Sequence, residues 1–308
     1  MSKKLISNNM KKFLSVMLIL TLCFYGSACI ILARSGYKLK DFLYESKSTS
    51  DFLYHYFNNA FSKLINSYSS HSYTVDDNIS EINLNLTSQN IQVVNSTDSM
   101  LNIKIKGLFS SDLSLDLIDN DNKMTFLSNV DIPEFTSIIL EIPASISNKI
   151  TLKIATKNGN ININNFSCNS ISLSTANGDL LLEHSNFNYI YSSSSCGDIT
   201  LNYIFSSKET NVSNMSGSIY GCGRFGIFTA NTTSGDIDFA FTSDLNNMFL
   251  SSISGDINLC LPSNSGYEVN FDTLSGTLNA DKDTLYNTYR YAKINVHTNN
   301  SDLNVQKN

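Results

Sequence analysis

The chain is 308 residues long and 16% charged, with a formal net charge of -6 and only three arginines, Arg34, Arg224 and Arg290. Neutralising nucleic-acid phosphates takes a basic face, so DNA and RNA are excluded as partners, and an anionic polymer is disfavoured on the same ground. Ser and Asn dominate the polar positions, which suits a hydrogen-bonded β surface better than a charged helical one.

Residues 1–11 read as a short basic tail with Lys3, Lys4 and Lys11. The uncharged run from Phe13 to Ala33, inside a predicted transmembrane helix over 12–33, is long enough to cross a hydrocarbon core of roughly 30 Å. Lys38 and Lys40 come after it, and the small lysine excess before the run favours a cytoplasmic N-terminus. The alternatives are a signal peptide cleaved after Gly26-Ser27-Ala28, and a lipoprotein box at Cys29 with Gly26 where Leu is usual. Against cleavage, Cys29-Ile30-Ile31-Leu32 prolongs the apolar run.

Residues 34–79 form a juxtamembrane segment. Phe52, Leu53, Tyr56, Phe57, Ala60, Phe61, Leu64 and Ile65 recur at helical spacing, which predicts one apolar stripe with Asp51 as its cap. The stripe lies on the bilayer or on a second copy in one reading, and docks on the C-terminal β domain in the other.

From residue 80 to 308 the pattern becomes β. Ile82/Leu84/Leu86, Leu101/Ile103/Ile105 and Leu113/Leu115/Leu117 alternate, Asp119-Asn120-Asp121-Asn122 marks a turn, and Ile138 to Pro143 is a further strand. These strands are expected to cap the first rung of a repeat. Gly159, Gly178, Gly197, Gly217, Gly235, Gly255 and Gly276 then recur, with Ser301 in the slot of a last, degenerate copy; the intervals are 19, 19, 20, 18, 20, 21 and 25 residues. Apolar pairs flank the slots two and four residues after, as in Leu180/Leu182, and seven and five before, as in Ile171/Leu173, with Gly221, Ala280, Ser192 and Thr210 departing from the pattern. A period this regular predicts an all-β, parallel β-helix-like solenoid of about eight rungs, two short strands to a rung, joined by a turn that glycine permits.

Ile138-Leu-Glu-Ile-Pro143, then Asn158-Gly159-Asn-Ile161, Asn177-Gly178-Asp-Leu180, Ser234-Gly235-Asp-Ile237 and Ser254-Gly255-Asp-Ile257-Asn-Leu259-Cys-Leu-Pro262 resemble the DUF4097 family of bacterial adhesin-type domains. The resemblance covers residue 80 to the C-terminus. It implies a β-solenoid tethered behind one membrane helix, often in Gram-positive bacteria, with no catalytic residues to carry over. Ser216-Gly217-Ser218, Ser275-Gly276-Thr277 and Asn300-Ser301-Asp302 depart from the pattern.

Asp179, Asp198, Asp236, Asp256 and Asp302 stand just after the slot and form a column if the rungs stack. Two readings compete: a cation relieves their repulsion, or each side chain bonds its own turn backbone. Turn bonding is preferred, and no metal or cofactor is expected. Cys168, Cys196, Cys222 and Cys260 fit no disulfide frame and read as buried free thiols. No Ser/His/Asp arrangement or convergent carboxylate pair can be assembled, so no catalytic residue is assigned. Two breaks in the phrase are the candidate interaction surface: Arg224, in a glycine-rich stretch read as a bulge between rungs, and Tyr286, Tyr289, Arg290 and Tyr291 in the long last interval. The tyrosines alternatively fold over the final rung. The chain is thus expected to be a single-pass cell-membrane protein with a non-enzymatic extracytoplasmic domain for adhesion to a cell-surface partner. The alternatives are an accessory or sensing subunit of an envelope signalling system, acting through a membrane-protein partner, and a glycan-active enzyme of the cell wall.

Overall fold

Period-two alternation of apolar residues is converted into stacked strands. The computed structural model describes residues 67–107, 113–120, 122–128, 136–243, 247–263, 266–280 and 291–307. The chain divides into two compact units, 1–66 and 67–308, of which the first, with the predicted membrane helix and apolar stripe, lies outside the described residues. Among the described residues no helix is long and apolar enough to cross a membrane.

The second unit holds β1 (Ser67–Tyr73), β2 (Glu81–Asn85), β3 (Asn90–Asn95), β4 (Leu101–Gly107), β5 (Asp116–Asn120), β6 (Lys123–Leu127) and β7 (Ser137–Ile142). A one-turn helix α1 (Ala144–Ser147) precedes β8 (Thr151–Thr156), β9 (Ile161–Asn164), β10 (Ser167–Asn177), β11 (Leu180–Glu183) and β12 (Asn186–Cys196). Two long strands, β13 (Ile199–Ser216) and β14 (Ile219–Ser234), run through both layers. After them come β15 (Ile237–Phe241), β16 (Asn247–Ser254), β17 (Ile257–Leu261), β18 (Gly266–Thr273), β19 (Leu278–Ala280), β20 (Tyr291–Thr298) and β21 (Leu303–Lys307).

Parallel pairing orders the first layer β6–β2–β8–β10–β12–β13–β14–β16–β20–β18 and the second β7–β3–β9–β11–β13–β14–β15–β17–β21–β19. Each layer thus has ten positions rather than eight. Two of the expected cap strand pairs are full rungs, and the antiparallel strands β1, β4 and β5 are the additions outside them. β1 lies in the stretch that the sequence pattern assigns to the juxtamembrane segment.

Rung order departs from chain order at both ends. β2/β3 sits inside β6/β7, and β20/β21 is inserted between β16/β17 and β18/β19. The degenerate Ser301 copy is therefore an interior rung and Gly276 belongs to the outermost one. Sequence distance carries no information about this, because a permuted stack preserves the same inward and outward alternation.

The apolar pairs face one another across the layers. Leu152, Ile171, Leu173, Leu180, Leu182, Ile237 and Ile257 are at most 1% exposed, and Phe228 of the first layer meets Phe239 of the second at 4.6 Å between ring centroids. Burying one such side chain stabilises the fold by about 1.5–3 kcal/mol, a gain that only neighbouring rungs make available.

A second inward column is polar: Thr156, Thr175, Ser194, Asn214, Thr232, Ser252 and Thr298, each three residues before the slot and at most 6% exposed. Thr175 Oγ1 donates to the Gly159 carbonyl (3.1 Å), Ser194 Oγ to Gly178 (3.0 Å) and Asn214 Nδ2 to Gly197 (2.6 Å). The slot turns pack against each other: a Cβ on Gly255, whose φ is +153°, would lie 2.1 Å from the Gly235 carbonyl oxygen.

The stretch Gly221 to Gly226 is not a bulge but part of β14. The interval from Gly217 to Gly235, 18 residues, is the shortest in the series, because this rung has no residue opposite Tyr203 and only Gly226 opposite the Ser207–Lys208 pair of β13. The extra residue at 207–208 thus belongs to β13 and the missing corner residue to β14, which passes its corner tightly enough that a Cβ on Gly223 would meet the Ile204 carbonyl oxygen at 2.2 Å.

Candidate functional site

Outward-facing residues of the first layer line up in rows across the rungs. One row runs Asn85, Ala155, Ser174, Ser193, Ser213, Asn231 and Ser251; the next runs Asn83, Lys153, Ser172, Tyr191, Asn211, Thr229 and Phe249. Ala, Ser and Asn are short, so the first row makes the floor of a shallow groove of about 600 Å³ that extends from Asn85 to Thr233. At a strand spacing of about 4.8 Å, its floor from Asn85 to Ser213 is roughly 20 Å long. Lys157 is the one charged residue lining it. A smaller hollow of about 320 Å³ between Ser172, Ser193, Tyr191 and Asn231 continues it sideways.

The groove carries hydroxyls and amides that donate and accept, on a backbone locked into a ladder. What these groups offer a ligand is hydrogen bonding. At one flank Glu81 forms ion pairs with Lys123 (2.7 Å) and Lys153 (2.8 Å), accepting a hydrogen bond from the second. These two ammonium groups, Lys123 first, hold its carboxyl down to about 2. Tyr191 is 39% exposed, and partial burial, with Glu209 and Tyr189 nearby, raises its phenol above the ordinary value.

The acidic column is also built. Asp179 N donates to Asn160 Oδ1 (2.9 Å), Asp198 N to Asp179 Oδ1 (2.9 Å), Ser218 N to Asp198 Oδ1 (2.9 Å), Asp236 N to Ser218 Oγ (3.1 Å) and Asp256 N to Asp236 Oδ1 (2.8 Å). Asp302 N then donates to Asp256 Oδ1 (3.0 Å) and Thr277 N to Asp302 Oδ1 (2.8 Å). The expected bond to each residue's own turn is replaced by a bond to the turn of the next rung. Asn, Ser and Asp all serve in the column because each supplies the one acceptor oxygen that the neighbouring N–H requires. The Thr277 backbone bond, then its hydroxyl, lowers the carboxyl of Asp302.

Arg224 is exposed, with its guanidinium 5.4 Å from the Phe205 ring centroid. Tyr286, Tyr289 and Arg290 lie outside the described residues, and Tyr291 opens β20 with its side chain outside them. Of the four thiols only Cys168 is buried, and burial pushes it up to about 12; Cys196 is exposed and Cys222 and Cys260 are half-buried, in contrast to the expectation of buried thiols throughout. The groove floor was overlooked in the sequence, although its signal is present: a small or polar residue stands four places before every slot from Gly159 to Gly255.

Fold and groove together define a repeat β-solenoid with a polar groove on its outer face. The chain belongs to the Toastrack DUF4097 family, whose model matches residues 79–307. Among solved structures it is similar to a "putative adhesin" from Bacteroides fragilis, at 13% identity and a TM-score of 0.48 over 78% of this chain and 97% of that one. It is also similar to a protein so described from Parabacteroides merdae, at 11% identity and a TM-score of 0.44 over 78% and 95%. No curated protein matches the sequence.

Proposed function

We propose that the chain is a membrane-tethered, non-catalytic surface-interaction module, anchored through residues 12–33 with residues 80–308 on the extracytoplasmic side. The observation that carries the reading is the groove: a rigid floor of Ala155, Ser174, Ser193 and Ser213, rich in hydrogen-bonding groups and nearly free of charge. Such a surface suits an extended, neutral, hydroxyl- or amide-bearing partner, since it imposes no charge pattern and offers a repeat of donors and acceptors along one line.

The test is binding of the full-length protein, in detergent micelles, to isolated cell envelopes. A Ser174→Arg/Ser193→Arg double variant fills the groove while leaving the inward faces untouched. The expected result is at least about a tenfold loss of binding at unchanged melting temperature, the weight of one or two lost interfacial hydrogen bonds. Unchanged binding by the double variant sinks the groove reading. Recovery of the protein in the soluble fraction after alkaline extraction of native membranes sinks the anchor.

A further inference from the structure

At the corner where each rung returns from the second layer to the first, three consecutive rungs hold one residue in left-handed backbone conformation: Asn165 (φ 52°), His184 (φ 47°) and Tyr203 (φ 53°). Asparagine and histidine tolerate that region, whereas a bulky residue such as Tyr203 is an outlier there. A corner that only had to turn the chain would be served by Asn or Gly at all three positions. Burial does not offset the strain, because His184 is exposed and Tyr203 is 66% exposed. The two rings stack instead, with centroids 4.9 Å apart and planes 18° from parallel.

The stack ends at Tyr203. In the next rung the register jumps from Asn202↔Cys222 to Ile204↔Gly223, so no residue stands opposite Tyr203. Tyr203 N donates to Cys222 Sγ (3.4 Å), the ring has no ring partner but His184 among the described residues, and the residue is 66% exposed. Two residues on, Phe205 carries the Arg224 guanidinium, and Arg224 makes no ion pair among the described residues. A strained, stacked and exposed aromatic ring therefore lies two residues from the aromatic that carries an unused five-donor cation.

We infer that this corner is a saccharide-stacking site: the exposed ring of Tyr203 takes the C–H face of one pyranose ring, and Arg224 donates to its hydroxyls. An aromatic ring offers a large, rigid apolar face at low entropic cost, which matches the flat C–H face of a sugar. The net charge of -6 sets the preference at neutral rather than polyanionic glycans. The inference goes beyond the groove and uses different residues, so groove variants and corner variants fail separately.

The experiment is calorimetric titration of the full-length protein with two neutral probes, the hexamer of N-acetylglucosamine and cellohexaose. The parent is expected to bind at least one saturably. Tyr203→Gly removes the ring and relaxes the backbone, so it is expected to melt at or above the parent temperature and to bind about tenfold more weakly. Tyr203→Phe, which keeps the ring face, is expected to bind within about threefold of the parent, and Arg224→Gln about fivefold more weakly. Absence of saturable binding by the parent overturns the site. So does a Tyr203→Gly variant that binds like the parent, or one that melts well below it, since the ring would then serve the fold.

Discussion

Gly255→Ala tests the close stacking of the slot turns. The added methyl would stand 2.1 Å from the Gly235 carbonyl oxygen and 2.5 Å from its carbon, on a backbone at φ +153°. Ordinary contact begins at 3.4 Å, so the two turns must part by about 1.3 Å, over a quarter of the rung spacing of about 4.8 Å. The Gly235 N to Ser254 O bond, now 3.1 Å, would open beyond 4 Å if the rungs separated by that amount, which is outside hydrogen-bond range. Overpacking costs about 1–3 kcal/mol, and holding a non-glycine residue at that φ about 1–3 kcal/mol more. The two together predict a loss of about 4 kcal/mol, read from urea denaturation monitored by far-ultraviolet circular dichroism. Ser301→Ala is the control in the same slot. It already carries a Cβ and gives up only the bond that Gly255 N donates to Ser301 Oγ at 3.1 Å, a loss of about 1 kcal/mol. A Gly255→Ala variant within about 1 kcal/mol of the parent refutes the close-approach reasoning.

Two further outcomes concern carboxylates. Asp198→Asn keeps the acceptor for Ser218 N and removes one charge from the column, so its melting temperature is expected to equal or exceed the parent's. Asp198→Ala leaves that N–H without its partner and is expected to cost about 1 kcal/mol in the same denaturation assay. Glu81, held down to about 2 by Lys123 and then Lys153, has a folded-state value below its unfolded one. It therefore contributes stability that is complete above the ordinary carboxylate range and is lost as pH falls from about 4.5 towards 2. Acid titrations of parent and Glu81→Gln should differ in slope across that window, and parallel curves would contradict the assigned ion pairs.

The apolar pairs were legible because side-chain alternation is a local property: Leu152/Ile154, Ile161/Ile163 and Leu180/Leu182 all point inward, as their spacing requires. What spacing could not convey was rung order, since Ser301 has the same local frame whether its rung is outermost or interior. The polar inner column escapes a reading in which Thr and Ser face solvent. The hydroxyls of Thr175, Ser194, Thr232 and Ser252 donate to the slot carbonyls of the neighbouring rung, a partner only stacking supplies. Glycine clustering at Gly221 to Gly226 suggested added chain, yet the 18-residue interval already recorded a shortened corner. The candidate sites divide in the same way. Arg224 was visible as a break in the phrase, but the groove floor emerges only when outward positions of five or more rungs are laid side by side, and the stack of His184 on Tyr203 depends on backbone dihedrals that no residue pattern encodes.

The interior position of β20/β21 has a mechanical consequence. Tension applied at Lys307 does not peel a strand from the rim one bond at a time, because β21 is paired with β17 on one side and β19 on the other. It loads two ladders in shear at once. The last described strand is thus clamped within the stack, and the rim strands β18 and β19 lie outside it on β20 and β21.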